Sequence, residues 1–242
     1  MKRLLALVLL VTLLTAPAPV RAAAPDPPAE AAAARSSITL DGVTVRLQAG
    51  SRQVVTVNRT RGHRARVTLW QLGRDDRWAE VRRATDGRVG YGGLVRGDRR
   101  RQGSGTTPLG THRLTSTFGT HARQADWRLA HRTIRRGDFW VQDNASRYYN
   151  RYRNQRQGGF RWRLPSSDAN GSERLTDYRQ QYEYAIVLDY NRQQVRHRGA
   201  GIFLHVNGSG ATAGCVSAPR SFLRMLMRRL DPAQRPLIAV GR

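Results

Sequence analysis

The sequence predicts a mainly β fold, a β-sandwich or open barrel carrying one main helix late in the chain. Three observations predict it. From residue 38 onward, short segments of β-branched residues recur between glycine, proline and asparagine turn signals. Only one stretch, after residue 215, sets apolar residues at helical spacing: Phe222, Leu223, Leu226 and Leu230 form one stripe. And 242 residues are enough to bury a sizeable core as one domain with an N-terminal tail.

Taken in order, residues 1–22 read as a secretory signal. Lys2 and Arg3 supply the positive start, residues 4–14 an apolar run too short to span a bilayer, and Val20-Arg21-Ala22 a small-residue cleavage site. Residues 23–37 are rich in alanine and proline and read as a disordered linker. The folded domain is expected over 38–242. Strands are expected at 38–40, 43–45, 54–57, 65–72 and 78–81. A glycine-bearing stretch at 90–94 follows; its glycine spacing does not fit a phosphate-binding loop. Beyond a charged loop at 98–105, Pro108 and Gly110 mark a turn at the head of a strand over 107–114.

The middle, 118–178, mixes arginine with Trp127, Phe139, Trp140, Tyr148, Tyr149, Tyr152, Phe160, Trp162 and Tyr178. Interleaved with arginine, these aromatics could stack on bases, or on sugar rings or wall peptides over a cleft; the most conservative expectation is that they pack a loop-rich lid onto the sheet. Residues 184–190 form the clearest central strand, with a turn at Asn191. Residues 201–204 read as a buried strand with His205 at its end. Ser217-Ala218-Pro219 is expected to cap and start the helix, Asp231-Pro232 to end it, and 236–240 to form a closing strand.

The chain carries 42 Lys+Arg against 17 Asp+Glu, a formal net charge of +25. Lys2 is the only lysine. The arginines are spread along the chain rather than gathered in one arm, so the charge favours polyanionic surroundings or solubility over a specific nucleic-acid site. In an exported chain a single cysteine, Cys215, allows no internal disulfide and is a candidate reactive thiol.

His205 precedes Cys215 by a short glycine-rich loop in which Asn207-Gly208 marks a turn. Thiol and imidazole together are the parts of a cysteine nucleophile and its base. The N–H groups of Ala213, Gly214 and Cys215 could converge on an oxyanion. The competing reading is an inert buried cysteine with a histidine bonded to a carbonyl. His112, His121, His131 and His197 have no metal-ligand spacing with one another or with Cys215.

Thr212-Ala213-Gly214-Cys215-Val216-Ser217 resembles the [S/T]-H-G-C-[I/V]-R signature of the L,D-transpeptidase catalytic domain, and His205 matches the histidine preceding it. Residues 107–114, T-P-L-G-T-H-R-L, resemble the T-P-x-G-x-[F/Y]-x-[I/L] segment of that family, and residues 90–94 resemble the glycine-containing strand that precedes it. The likeness covers about residues 53–242, strong at both blocks and weak between them. Two positions depart: the signature histidine is Ala213 here, and the signature arginine is Ser217.

The resemblance implies the L,D-transpeptidase fold type and an exported, cell-wall-associated cysteine acyltransferase. Cys215 would be acylated at the third-residue carbonyl of a peptidoglycan stem peptide with loss of D-alanine, then transfer the acyl group to an acceptor amine. His205 would be the base and Thr212 a brace for the loop. The family also implies acylation of the cysteine by carbapenems. It implies no cofactor, metal, specific nucleic acid or transmembrane span in the mature protein. An L,D-carboxypeptidase using water as acceptor stays open, as does a non-catalytic module binding wall or polyanion.

Overall fold

The computed structural model of the protein describes residues 36–242. The expected signal and all but the last two residues of the expected linker lie outside the described residues.

The chain enters through a hairpin, β1 (Ser37–Leu40) and β2 (Val43–Arg46). Asp41 and Gly42 join them with φ of 50° and 74°, the left-handed backbone that a two-residue turn with both central φ positive requires. Leu40, Val43 and Val45 pack with Val54, Leu237 and Ala239 in a small outer cluster. Then β3 (Gln53–Arg59), β4 (Arg64–Leu72) and β5 (Trp78–Arg88) run antiparallel. Alternation sorts β3: Val54 faces the outer cluster, Val55 and Val57 the main core.

The short β6 (Leu94–Arg96) lies parallel to β7 (Thr107–Gly119), the longest strand at 13 residues. Three peripheral strands follow, β8 (His131–Thr133), β9 (Asp138–Trp140) and β10 (Tyr152–Asn154), then β11 (Glu173–Arg174). β12 (Tyr184–Leu188), β13 (Phe203–Val206), β14 (Val216–Ala218), the helix α1 (Arg220–Arg229) and β15 (Leu237–Gly241) complete the domain.

The sheet closes on itself. Its order runs β12-β13-β14-β5-β4-β3-β15-β7, and β7 pairs back to β12, giving a closed barrel of eight strands. This corrects the sandwich or open barrel expected from sequence. β7 bonds β15 along Gly110–Arg113 and β12 along Leu114–Gly119, so both ends of the sheet meet on one strand. Closure leaves no free edge on the barrel path. The main core joins Val55, Val57, Ile186, Leu204, Val216 and Ile238 to Phe222, Leu223, Leu226 and Met227 of α1. Among the described residues no helix is long and apolar enough to cross a membrane.

On its other face, β12 and β13 carry Ala185, Val187 and Phe203. These pack with Phe118, Trp140, Tyr149, Leu175, Tyr182 and Cys215 in a second cluster. Of the middle-segment aromatics, Trp140, Tyr149 and Tyr152 pack against the barrel in this cluster, Trp127 joins the main core, Phe139, Tyr148, Phe160 and Trp162 form a cluster of their own, and Tyr178 is exposed. The segment also holds a small three-stranded sheet, β10-β9-β11, that the sequence did not suggest. Its strands are two or three residues long, below the length at which a period can be read.

Four local expectations change. Residues 90–94 are no strand: Gly90 makes one isolated bridge to Thr212, and regular pairing begins at Leu94. A Cβ on Gly90 would lie 2.0 Å from Gly105 O, so the glycine is there for close backbone approach. His205 sits inside β13, because parallel pairing with β14 continues through Val206 and Ala218. Ser217 belongs to β14 and caps nothing; Pro219 precedes α1 with no side-chain cap. The 78–81 strand extends to Arg88 through a largely exposed face with no apolar alternation to read.

Leu226 is fully buried between helix and barrel, whereas Arg224 on the same helix is exposed. Leu226→Ala is expected to lower unfolding free energy by about 2–5 kcal/mol in urea titrations, through lost burial plus a cavity. Arg224→Ala is expected to change it by less than about 0.5 kcal/mol.

Candidate active site

A cavity of about 750 Å³ opens where the 207–214 loop meets the middle segment; His205 and Cys215 line it with Arg100, Thr212, Glu173 and Tyr182. Parallel pairing of β13 with β14 sets Cys215 two positions along the ladder from His205. Leu204 faces Val216 and His205 faces Ser217 in register, so Phe203 and Cys215 fall opposite each other just before the ladder.

The loop between them is tied down from outside. Arg88 donates to the carbonyls of Gly208 at 2.7 Å and Gly210 at 3.2 Å. The Asn207 amide donates to Asp86 O at 2.6 Å, and Tyr91 N–H to Thr212 O at 2.8 Å. Thr212 Oγ1 donates to Cys215 O at 2.6 Å and accepts Gly214 N–H at 3.2 Å. Thr107 Oγ1 donates to the same carbonyl at 3.3 Å and accepts Gly90 N–H at 2.8 Å. The two blocks singled out in the sequence thus meet at one atom, the Cys215 carbonyl oxygen.

Gly214 has φ of 128°, and a Cβ there would lie 2.7 Å from Arg100 Nη2 and 2.8 Å from Thr106 O. Only glycine fits both the dihedral and the space. Its N–H is bonded to Thr212 Oγ1, so of the three N–H groups expected to face an oxyanion that of Gly214 is taken, and those of Ala213 and Cys215 remain the candidates. Ala213 is exposed.

Cys215 is 9% exposed and His205 7%. The thiol donates to Gly201 O at 3.3 Å, and Phe203 N–H donates to Sγ at 3.4 Å. Burial, with Glu173 nearby, pushes the thiol up to about 12; the Phe203 N–H and Arg100 oppose this. Burial pulls His205 down to about 4, against the Val206 carbonyl. His205 Nδ1 lies 2.8 Å from Val206 O. A carbonyl only accepts, so Nδ1 carries the proton and Nε2 holds the lone pair. At neutral pH both groups are uncharged, and no hydrogen bond joins them. The resting bonds are those of a buried cysteine and a carbonyl-bonded histidine, yet both side chains line one cavity.

Ser217 does not line it. Its hydroxyl donates to Asn207 Oδ1 at 2.7 Å, so the residue at the signature arginine's position belongs to the loop's support. An arginine reaches the cavity from elsewhere. Arg100 is 5% exposed, donates to Thr106 O at 2.7 Å and Arg198 O at 3.2 Å, and packs over the Tyr190 ring. His112, His121, His131 and His197 are all outside the cavity.

Sequence reasoning missed Arg100, Glu173 and Tyr182. Arg100 is one of three consecutive arginines, and nothing local marks which one turns inward. Glu173 stands in the weakly patterned middle segment. Tyr182 precedes the central strand by two residues, where its aromatic ring reads as ordinary core. Comparison with known protein families, with curated proteins and with solved structures finds no match to this chain.

Proposed function

We propose that this chain is an exported cysteine acyltransferase of the bacterial cell wall, acting as an L,D-transpeptidase on peptidoglycan stem peptides. The observation that carries the reading is that His205, whose Nδ1 donates to Val206 O and leaves Nε2 as the basic nitrogen, lines one cavity with Cys215. The meeting of both sequence blocks at the Cys215 carbonyl supports it. The barrel with a single helix after the cysteine is compatible with that fold type.

The proton inventory selects the manner of attack. Burial disfavours both the thiolate of Cys215 and the imidazolium of His205, so the resting pair is neutral and proton transfer accompanies attack. The thiol leaves Gly201 O and turns toward the substrate. As sulfur bonds to the third-residue carbonyl carbon, its proton passes to His205 Nε2. The oxyanion takes the N–H groups of Ala213 and Cys215. Collapse expels the amine of the terminal D-alanine, which takes the proton back from His205, leaving a thioester. An acceptor amine then attacks, His205 removes its proton, and the restored thiol completes the cycle.

The Gly201 bond of the resting thiol favours one other reading, a non-catalytic wall-binding module. Incubation with a carbapenem separates the two. Intact-mass spectra are expected to show one adduct on the wild type and none on Cys215→Ala; an unmodified wild type supports the binding module.

His205→Ala is expected to slow single-turnover acylation by about 10²–10⁴-fold, the usual contribution of a positioned base. His112→Ala and His131→Ala, outside the cavity, are expected to keep most of the rate. A fully active His205→Ala removes His205 from the base role.

Ala213→Pro deletes one of the two candidate oxyanion donors. With folding checked by circular dichroism, acylation is expected to fall by about 10²–10³-fold. Ala213→His keeps the N–H and is expected to change the rate by less than about tenfold, or ~1.4 kcal/mol.

A further inference from the structure

Glu173 is out of place in so basic a chain. With 42 Lys+Arg available, it makes no ion pair among the described residues. Its carboxylate accepts one hydrogen bond, from the Tyr182 hydroxyl. It lines the cavity of Cys215, and its Oε2 lies 3.5 Å from where a Cβ on Gly201 would stand. Gly201 is the residue whose carbonyl receives the thiol, so acid and thiol flank one glycine.

Tyr182 extends the connection. Its ring meets the His205 imidazole nearly at right angles, with centroids 5.5 Å apart, and Phe203 and Phe118 fix it from two further sides. Glu173, Tyr182 and His205 form a contiguous file along the cavity, with Cys215 beside it. The charged or titratable groups nearest the acid are Tyr182, Tyr178 and Asp177 from the turns before β12, Cys215 and His205 from the barrel, Arg174 on its own strand, and Arg100 from the 98–105 loop. Of these only Tyr182 bonds to the acid, and no cation does.

We propose that Glu173 is a positioning residue that governs Cys215, leaving the thiol free to ionise when the carboxyl is protonated and holding it back when the carboxyl is charged. Burial raises the Glu173 carboxyl to about 7, with the Tyr182 hydroxyl opposing the rise. Below that pH the carboxyl is neutral. Above it, a negative charge beside the thiol disfavours the thiolate. The nucleophile is thus relatively stronger on the mildly acidic side. This rests on Cys215 being the nucleophile of the proposed acyltransferase, and not on the identity of the wall substrate.

The test is the pH dependence of Cys215 alkylation by iodoacetamide, followed by mass spectrometry on the full chain between pH 5.5 and 9, with folding checked at each pH. A thiol far below its pKa ordinarily reacts tenfold faster per pH unit. Wild type is expected to rise less steeply across pH 6–8. Glu173→Gln keeps an acceptor for Tyr182 but cannot ionise; it is expected to match wild type at pH 5.5, rise steadily, and exceed it about tenfold, one pKa unit, above pH 8. Tyr182→Phe removes the donor that stabilises the ionised carboxyl and is expected to move the break to higher pH. A Glu173→Gln profile that keeps the break, or coincides with wild type throughout, overturns the proposal. If carbapenem acylation of Cys215 persists in that case, the acyltransferase reading stands without it. If folded wild type reacts at Cys215 with neither reagent, the nucleophile itself is refuted and this inference with it.

Discussion

The architecture depends on one strand serving two partners. β7 is long enough to bond β15 with its first half and β12 with its second, which turns a meandering sheet into a closed barrel. Closure sets the tilt and stagger of the remaining strands, as it must in any barrel of this size. It also carries the beginning of β7 to the end of the glycine-rich loop, where Thr107 reaches the Cys215 carbonyl. The catalytic proposal depends on that contact, since the loop around the cysteine has no regular pairing beyond the bridge between Gly90 and Thr212.

Desolvation then governs the chemistry. The same burial that stabilises the second cluster around Phe203 disfavours the charged forms of Cys215, His205 and Glu173. A neutral thiol is protected from oxidants, since the ionised form is the reactive species. The cost is that the proposed reaction must move the proton during attack. A base whose tautomer is fixed by Val206 O, leaving the lone pair on Nε2, suits that requirement better than a solvated histidine would.

Much of the site was legible because its residue types are chemically distinctive. A single cysteine, a histidine ten residues before it and a glycine-rich link identify themselves. Gly214 serves the loop through its positive φ and the close approach of Arg100 and Thr106, while its N–H, expected to face an oxyanion, is taken by Thr212. The departure at Ser217 takes a different form in space: that position turns to Asn207, and the cavity's buried arginine comes from residue 100. Glu173 and Tyr182 were not legible, since their proximity to the cysteine arises from the packing of β11 and the turn before β12 onto the outer face of β13.

The sequence by itself determined what is local: β-branched runs between turn residues make the strands, helical spacing makes α1, and residue chemistry nominates Cys215 and His205. Tertiary structure decided what depends on distant partners. Whether the sheet closes is a matter of how β7 divides its hydrogen bonds. Which of three adjacent arginines is buried, which N–H groups remain free, and how far each titratable group is shifted all follow from the surroundings. Desolvation and close packing are sums over neighbours that the chain brings together only when folded.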